Sequence, residues 1–322
     1  MSLPSPFVAS YQIDSHGHGV ESLPGVSPAV DGGYVWLHLD RGDARAREWL
    51  RGESGLSPMV VQTLLADDPR PRSVPMDQGL LIMARGANLN PGANPEDMVA
   101  LRIWVEEHRI ITVRRRRLQS IEDVRVALAE SRGPVSPGAF VAFVLECLVT
   151  RLAEVIGDLG EDVDALEEAM LAGELREIRA RIAAVRREAV SLRRYLVPQR
   201  EAFNRLFTER LPWLTDDDRL RLREQADRAA RSVEDIELLR ERAVVVQEEL
   251  LSRVSEQMNR KMYVLAILSA IFLPLGFITG LLGVNVGGVP GTQDAHSFWY
   301  LLAALVVLVG GELWMFRRAG WL

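Results

Sequence analysis

Two apolar runs near the C-terminal end constrain this chain more than any other feature. Met262 to Leu282 reads MYVLAILSAIFLPLGFITGLL without one charged residue, and at about 1.5 Å rise per residue such a run makes a helix of roughly 31 Å. That matches the hydrocarbon core of a bilayer. Phe298 to Phe316 reads FWYLLAALVVLVGGELWMF and holds one acid, Glu312, close enough to its end to sit at the interface beside Arg317 or Arg318. The expected product is a two-helix transmembrane hairpin. Arg260 and Lys261 precede the first run, Arg317 and Arg318 follow the second, and the connecting segment has no Lys or Arg. The positive-inside rule then puts both termini in the cytoplasm and turns the loop 283–297 outward.

The near-neutral mean hydropathy of +0.03 hides this segregation. Of the 38 Lys and Arg and the 44 Asp and Glu, residues 1–258 keep 34 and 42, a net charge of −8. An acidic surface of this kind argues against a nucleic-acid partner and suits cations, and the run Arg114 to Arg117 reads as the solvated end of a strand. The single cysteine, Cys147, lies in the apolar run AFVAFVLECLV. It can form neither an intramolecular disulfide nor a paired-cysteine zinc site, so packing is its expected role. The segment MSLPSPFVASYQID has neither the cationic start nor the apolar core of a signal peptide, and the soluble portion is expected to stay in the cytoplasm. No P-loop, GxSxG, HExxH or GxGxxG motif is present, so neither an enzyme nor a cofactor is expected.

Four segments in the first part read as strands: Tyr34 to Asp40, Gly79 to Ala87, Val99 to Val105 and Arg109 to Val113, with Glu106-Glu107-His108 turning between the last two. Helices are expected over Ala44 to Arg51, Ser57 to Ala66 and Ser120 to Glu130, which together define an α/β layer domain. Beyond Pro137 the chain reads as helical, over Phe140 to Leu171, Gly173 to Phe207 and from about Asp216 into the membrane, with breaks at Pro198 and at Leu211-Pro212-Trp213. The expected divisions are therefore a cytoplasmic α/β domain at 1–138, a helical region at 139–215, a long stalk helix at 216–261 and a hairpin at 262–322.

The stalk carries two stripes. At 100° per residue, Ile236, Leu239, Ala243, Val246 and Leu250 share one side, while Glu237, Glu241, Glu248, Ser255 and Asn259 share the other. The second stripe continues into the span through Met262, Ala266, Ser269, Leu273 and Gly280. Several copies around an axis would show this pattern, and so would a stalk with a solvated face; periodicity leaves both open. A two-helix hairpin cannot enclose an ion path alone, because ions need a protein-lined cavity inside the bilayer. Transport therefore requires an oligomer. The rival is a membrane-tethered scaffold or sensor whose hairpin is only an anchor.

At the outer end of the first run stands Gly283-Val284-Asn285-Val286-Gly287-Gly288-Val289-Pro290-Gly291. Glycines let the backbone turn and present carbonyls, and Asn285 offers a neutral oxygen to a hydrated cation. The segment FLPLGFITGLLGVNVGGVPG, followed by a second span and the basic end FRRAGWL, resembles the CorA metal-ion transporter family, and its Gly-Val-Asn form resembles the ZntB zinc-transporter branch. The resemblance implies a homopentameric funnel in the bacterial inner membrane that passes divalent cations, most simply Zn2+, with proton-coupled uptake as a property of that branch. A CorA-type magnesium or cobalt channel is the alternative within transport.

By the same resemblance Gly283, Val284 and Asn285 form the selectivity loop. Asn259 and Met262 match inner pore positions, and Leu273 matches a mid-pore constriction. Val284 stands where CorA proteins carry methionine, and Gly276 where they often carry threonine, so magnesium selectivity is in question. Five copies of Glu237, Glu241 and Glu248 would form a negative funnel, with Asp294 acting outside. The stripe contains no histidine or cysteine, the usual close ligands of zinc, which favours passage of a largely hydrated ion. His16, His18, His38, His108 and His296 read as structural or solvated, His16-Gly17-His18 with Asp14 being the best candidate ligand group.

Overall fold

A computed structural model of the chain describes residues 6–21, 32–76, 79–172, 175–284, 289, 291 and 293–320. It divides into two compact units, Met1–Gln247 and Glu248–Leu322.

The first unit is built on a sheet of seven strands: β1 (Phe7–Ile13), β2 (Gly19–Glu21), β3 (Tyr34–Asp40), β4 (Arg72–Met76), β5 (Gly79–Gly86), β6 (Val99–Val105) and β7 (Arg109–Arg114). Their spatial order is β2-β1-β3-β7-β6-β5-β4. Among the described residues only β3 and β7 pair in parallel; β4 to β7 form an antiparallel meander, which needs no crossover. The helices α1 (Ala44–Gly52) and α2 (Pro58–Leu64) cover one face, where Leu37, Leu39, Leu50, Val60, Met83 and Trp104 pack together. The opposite face carries the larger core. There α3 (Gln119–Ala129), α4 (Pro137–Ala172), the end of α5 (Leu175–Leu206) and the start of α6 (Asp216–Leu282) meet Trp36, Ile82, Leu101 and Ile103. Covered on both sides, β5 buries all eight of its residues, which is why it reads as an apolar run up to Arg85.

The four expected strands and three expected short helices are present within a few residues of their expected ends. β1, β2 and β4 add to them. β4 contains Pro75, which lacks a backbone donor and so weakens a strand signal, and it takes the edge position where that donor is not needed. The expected break at Pro198 does not occur, and α5 runs through it. Proline removes one helix hydrogen bond, and the buried residues Leu192, Leu196, Ala202 and Phe203 hold the helix on both sides of the gap. The other expected break, at Leu211-Pro212-Trp213, is present between Leu206 and Asp216.

α6 starts with a capping box. Thr215 Oγ1 accepts the Asp218 N–H at 3.1 Å, while Asp218 Oδ2 accepts both the Thr215 N–H at 3.1 Å and its hydroxyl at 2.7 Å. Asp218 is buried against Gly138, where a Cβ would lie 2.3 Å from Asp218 Oδ2. Glycine is what permits α4 to begin that close to α6. Farther along, Arg242 of α6 binds Glu167 and Asp164 of α4 at 2.8 and 2.6 Å, and Arg151 of α4 binds Asp123 of α3.

The histidines behave as structural groups. Asp14 Oδ1 accepts the backbone N–H groups of His16 and His18, both at 2.9 Å, and Gly17 at φ +79° lies so near Gly133 that a Cβ would reach 2.1 Å from the Gly133 carbonyl. Asp14 thus staples a turn, and no group of metal-holding side chains occurs among the described residues. Cys147 has its thiol pushed up to about 12, chiefly by burial, which makes it unreactive.

His38 is fully enclosed. Its Nε2 accepts from Arg114 Nε at 2.9 Å, which puts the ring proton on Nδ1, facing Thr112 Oγ1 at 2.8 Å. Burial, then the charges of Arg114 and Arg125, pull its pKa down to about 3. The unfolded chain therefore takes up a proton near pH 6.5 that the folded chain refuses, so the His38 contribution is complete above pH 6.5 and is lost as pH falls toward 3. Urea unfolding of the detergent-solubilised chain should lose close to 1.4 kcal/mol per pH unit through this group between about pH 6 and 4. His38→Gln should flatten that slope by the same amount; an unchanged slope would mean that His38 is not held neutral.

Candidate ion-conduction site

In the second unit α6 continues to Leu282, and α7 (Ser297–Arg318) follows the loop. Both helices are long and apolar enough to cross a membrane. Many of their large side chains are unburied: Leu273 is 73% exposed, and Phe277, Trp299, Tyr300 and Val307 are similarly open. In water such a surface would be prohibitive; lipid, or further protein, is its natural cover.

The spanning part of α6 has two unlike sides. Ile267, Ala270, Ile271, Pro274, Leu275 and Ile278 are half-buried and recur at three- and four-residue spacing, which makes one continuous face. Met262, Ala266, Ser269, Leu273 and Gly280 are all exposed and lie roughly opposite, as does Asn259 before the span. The expected pore stripe is therefore open along its whole length. It offers two polar groups, Asn259 and Ser269, among apolar and small ones. Thr279 hydroxyl bonds the Leu275 carbonyl at 2.8 Å, which uses up its donor inside the helix.

Gly283 closes α6: its N–H still bonds Thr279 O at 2.9 Å, and a Cβ there would stand 2.9 Å from the same carbonyl. Val284 beyond it is exposed. Asn285, the third member of the expected loop, lies outside the described residues. On the far side, Gly291 turns at φ +88° and its carbonyl accepts the Ser297 hydroxyl at 2.7 Å. Asp294 Oδ1 accepts the His296 N–H at 2.9 Å and stands 3.4 Å from His296 Nδ1. Asp294 thus shapes the start of α7 while remaining half-exposed.

The expected acidic stripe is divided by its partners. On α6, Ile236, Leu239, Ala243, Val246 and Leu250 are all buried, as the apolar stripe requires. Glu237, however, accepts Arg193 Nε of α5 at 2.9 Å, so its charge is largely cancelled. Glu241 and Glu248 are exposed and enter no ion pair among the described residues. Periodicity could not separate them, because it records the side of a helix and not what the neighbouring helix carries there. Glu312 of α7 has its Oε2 enclosed without a hydrogen-bond partner among the described residues, and no ion pair with Arg317 or Arg318 forms among them.

A layered α/β unit, a long helix ending at the loop, and a second apolar helix ending in arginines are the parts of a two-span membrane protein. Residues 31–318 match the family described as CorA-like Mg2+ transporter protein, and the chain belongs to that family of divalent-cation transporters. It is 41% identical over 294 residues to "Divalent cation transporter CmaX" of Pseudomonas aeruginosa, an alignment spanning 89% of this chain and 87% of the relative. It is 36% identical over 321 residues to "Zinc transport protein ZntB" of Pectobacterium carotovorum, over 98% of this chain and 96% of the relative. A solved structure of the full-length CmaX protein superposes with a TM-score of 0.85 at 36% identity, over 99% of each chain.

Glu241→Gln should lower divalent-cation flux in liposomes at low ionic strength and do so less at physiological salt, where fields decay over about 8 Å. Glu237→Gln should change flux less than Glu241→Gln, because Arg193 already offsets that carboxylate. Equal effects for the two variants, at either salt, would contradict the assignment.

Proposed function

We propose that this chain is a zinc transporter of the bacterial inner membrane, working as a homopentamer with both termini in the cytoplasm. The carrying observation is the likeness to a zinc transport protein across 98% of this chain, joined to the Gly283-Val284-Asn285 sequence at the end of α6. Pentameric assembly supplies what the hairpin lacks: a ring of α6 helices with Asn259, Met262, Ala266, Ser269, Leu273 and Gly280 turned to the axis. The exposed apolar surface of α6 and α7 supports such an assembly, since neighbouring copies and lipid together would cover it. Arg260, Lys261, Arg317 and Arg318, all at the same end of the two spans, support the orientation.

With oxygen and apolar groups along the stripe, the ion travels hydrated. Stripping zinc would call for thiolate, imidazole or carboxylate at close range, and the stripe from Asn259 to Gly280 has none of these. Asn285 exchanges outer-shell water at the mouth through its amide oxygen, while Glu241, Glu248 and Asp294 raise the local cation concentration.

Magnesium is the second reading, favoured by the family description itself and by the broader designation of the Pseudomonas relative. Purified protein in liposomes distinguishes the two. Zinc flux should exceed magnesium flux, an imposed pH gradient should reveal any proton coupling, and Asn285→Ala should cut zinc flux by about tenfold or more in particles whose mass remains that of five subunits. Faster magnesium flux would overturn the zinc assignment; a monomer or dimer as the largest species would overturn the pore. Absence of flux for every divalent ion, with or without a pH gradient, would favour a membrane-tethered sensor.

A further inference from the structure

The first unit contains a cavity of about 380 Å³ unrelated to the conduction stripe, walled by β5, β6, the segment after α2 and one turn of α5. Five arginines line it: Arg85, Arg102, Arg115, Arg116 and Arg194. Four carboxylates share the wall, Asp67, Asp68, Glu96 and Asp97. Two of these are already engaged. Asp68 pairs with Arg85, and Asp67 is held at 2.5 Å by Arg41, an arginine outside the lining.

Arg102 is the anomaly. It sits on β6 opposite Met83 of β5, on the sheet face that elsewhere buries Leu81, Met83 and Trp104, and it is 1% exposed. Its Nη2 donates to the Ala66 carbonyl at 2.8 Å, whereas its Nε and Nη1 have no protein partner among the described residues. Arg85 beside it is better satisfied: Nη2 pairs with Asp68, Nη1 donates to Met98 O at 2.9 Å and its plane lies over the Tyr195 ring at 4.0 Å, so only its Nε is buried without a partner. Burial first, then the charges of Arg41 and Arg85, pull Arg102 down to about 10, so it remains a cation at neutral pH.

An enclosed guanidinium with two unanswered nitrogens costs several kcal/mol, and an apolar residue of similar volume would avoid that cost. Water in the cavity could accept the N–H bonds, but with Asp67 neutralised by Arg41 the five arginines still outnumber the three other carboxylates by two. A small oxyanion answers both, since its oxygens accept several charge-assisted hydrogen bonds at once. Arg194, exposed on α5 and 5.3 Å from the Tyr195 ring, stands at the rim where it can meet an arriving anion.

We propose that this cavity binds a small oxyanion of the phosphate class, with Arg102 and Arg85 as its buried donors and Arg194 at the rim. The site bridges the sheet and α5, so its ligand ties those elements together. The proposal stands apart from the transport reading.

The test uses the full-length protein in detergent and phosphate-free buffer, titrated with inorganic phosphate or pyrophosphate and read by calorimetry and melting temperature. Sodium chloride at matched ionic strength is the control. Saturable heat and a rise in Tm beyond the chloride control are expected; tighter phosphate binding identifies the free ion, and tighter pyrophosphate binding identifies a phosphoryl group of a larger molecule. Arg102→Met should weaken binding by about tenfold or more. Because Arg102 is buried, Arg194→Gln, at an exposed position, serves as a second variant and should weaken binding without lowering the melting temperature of the ligand-free protein. A phosphate response no greater than that to chloride, or one equal in wild type and both variants, would overturn the proposal and leave a water-filled cavity.

Discussion

Hydrocarbon solvates neither a peptide group nor an ion, and the second unit of this protein is organised by that fact. The backbone from Met262 to Leu282 meets it by remaining one helix, with every available N–H used internally apart from the gap that Pro274 creates. An ion cannot meet it in the same way. It needs a protein-lined path, and one hairpin has no interior. The open stripe on α6 and its half-buried opposite face are what a helix would show if copies of it enclosed that path.

Charge is arranged around the same constraint. Acidic groups are abundant in the first unit but are not interchangeable. Arg193 offsets Glu237, and Arg242 offsets Glu167 and Asp164, so these carboxylates fasten helices together. Glu241 and Glu248 are left to act on solvent ions. Exposed pairs of this sort contribute little stability individually, and their placement matters more for where uncancelled charge remains than for how firmly the helices are held.

Much of this was legible in sequence because the relevant signals are one-dimensional. A charge-free run of bilayer length, an alternating strand, and an apolar stripe at helical spacing each follow from the order of residues, and β3, β5, β6 and β7 with the five residues from Ile236 to Leu250 emerged nearly unchanged. β1 and β4 were hidden, β1 by its polar residues and β4 by Pro75, because an edge or near-edge strand is stabilised by its neighbour more than by its own pattern. Pro198 misled for the opposite reason: tertiary packing on both sides outweighs the one lost hydrogen bond. The Glu237 pair and the arginine cavity could not be read at all. Arg85 and Arg102 become neighbours through strand register, and Arg194 joins them through α5, more than ninety residues later.

Cysteine accessibility along α6 decides whether the open stripe faces the ion path, and the native chain suits it because its one cysteine, Cys147, is half-buried on α4 with its thiol pushed up to about 12. Cysteines placed singly at Met262, Ala266, Ser269 and Leu273, and for comparison at Ile267, Ile271 and Leu275, would be treated with a charged methanethiosulfonate reagent in liposomes while divalent-cation flux is followed. Block is expected at the first four positions and little effect at the other three. Block at Ile267, Ile271 and Leu275 instead, or at none of the seven positions in a transporting protein, would contradict a stripe that faces the ion path.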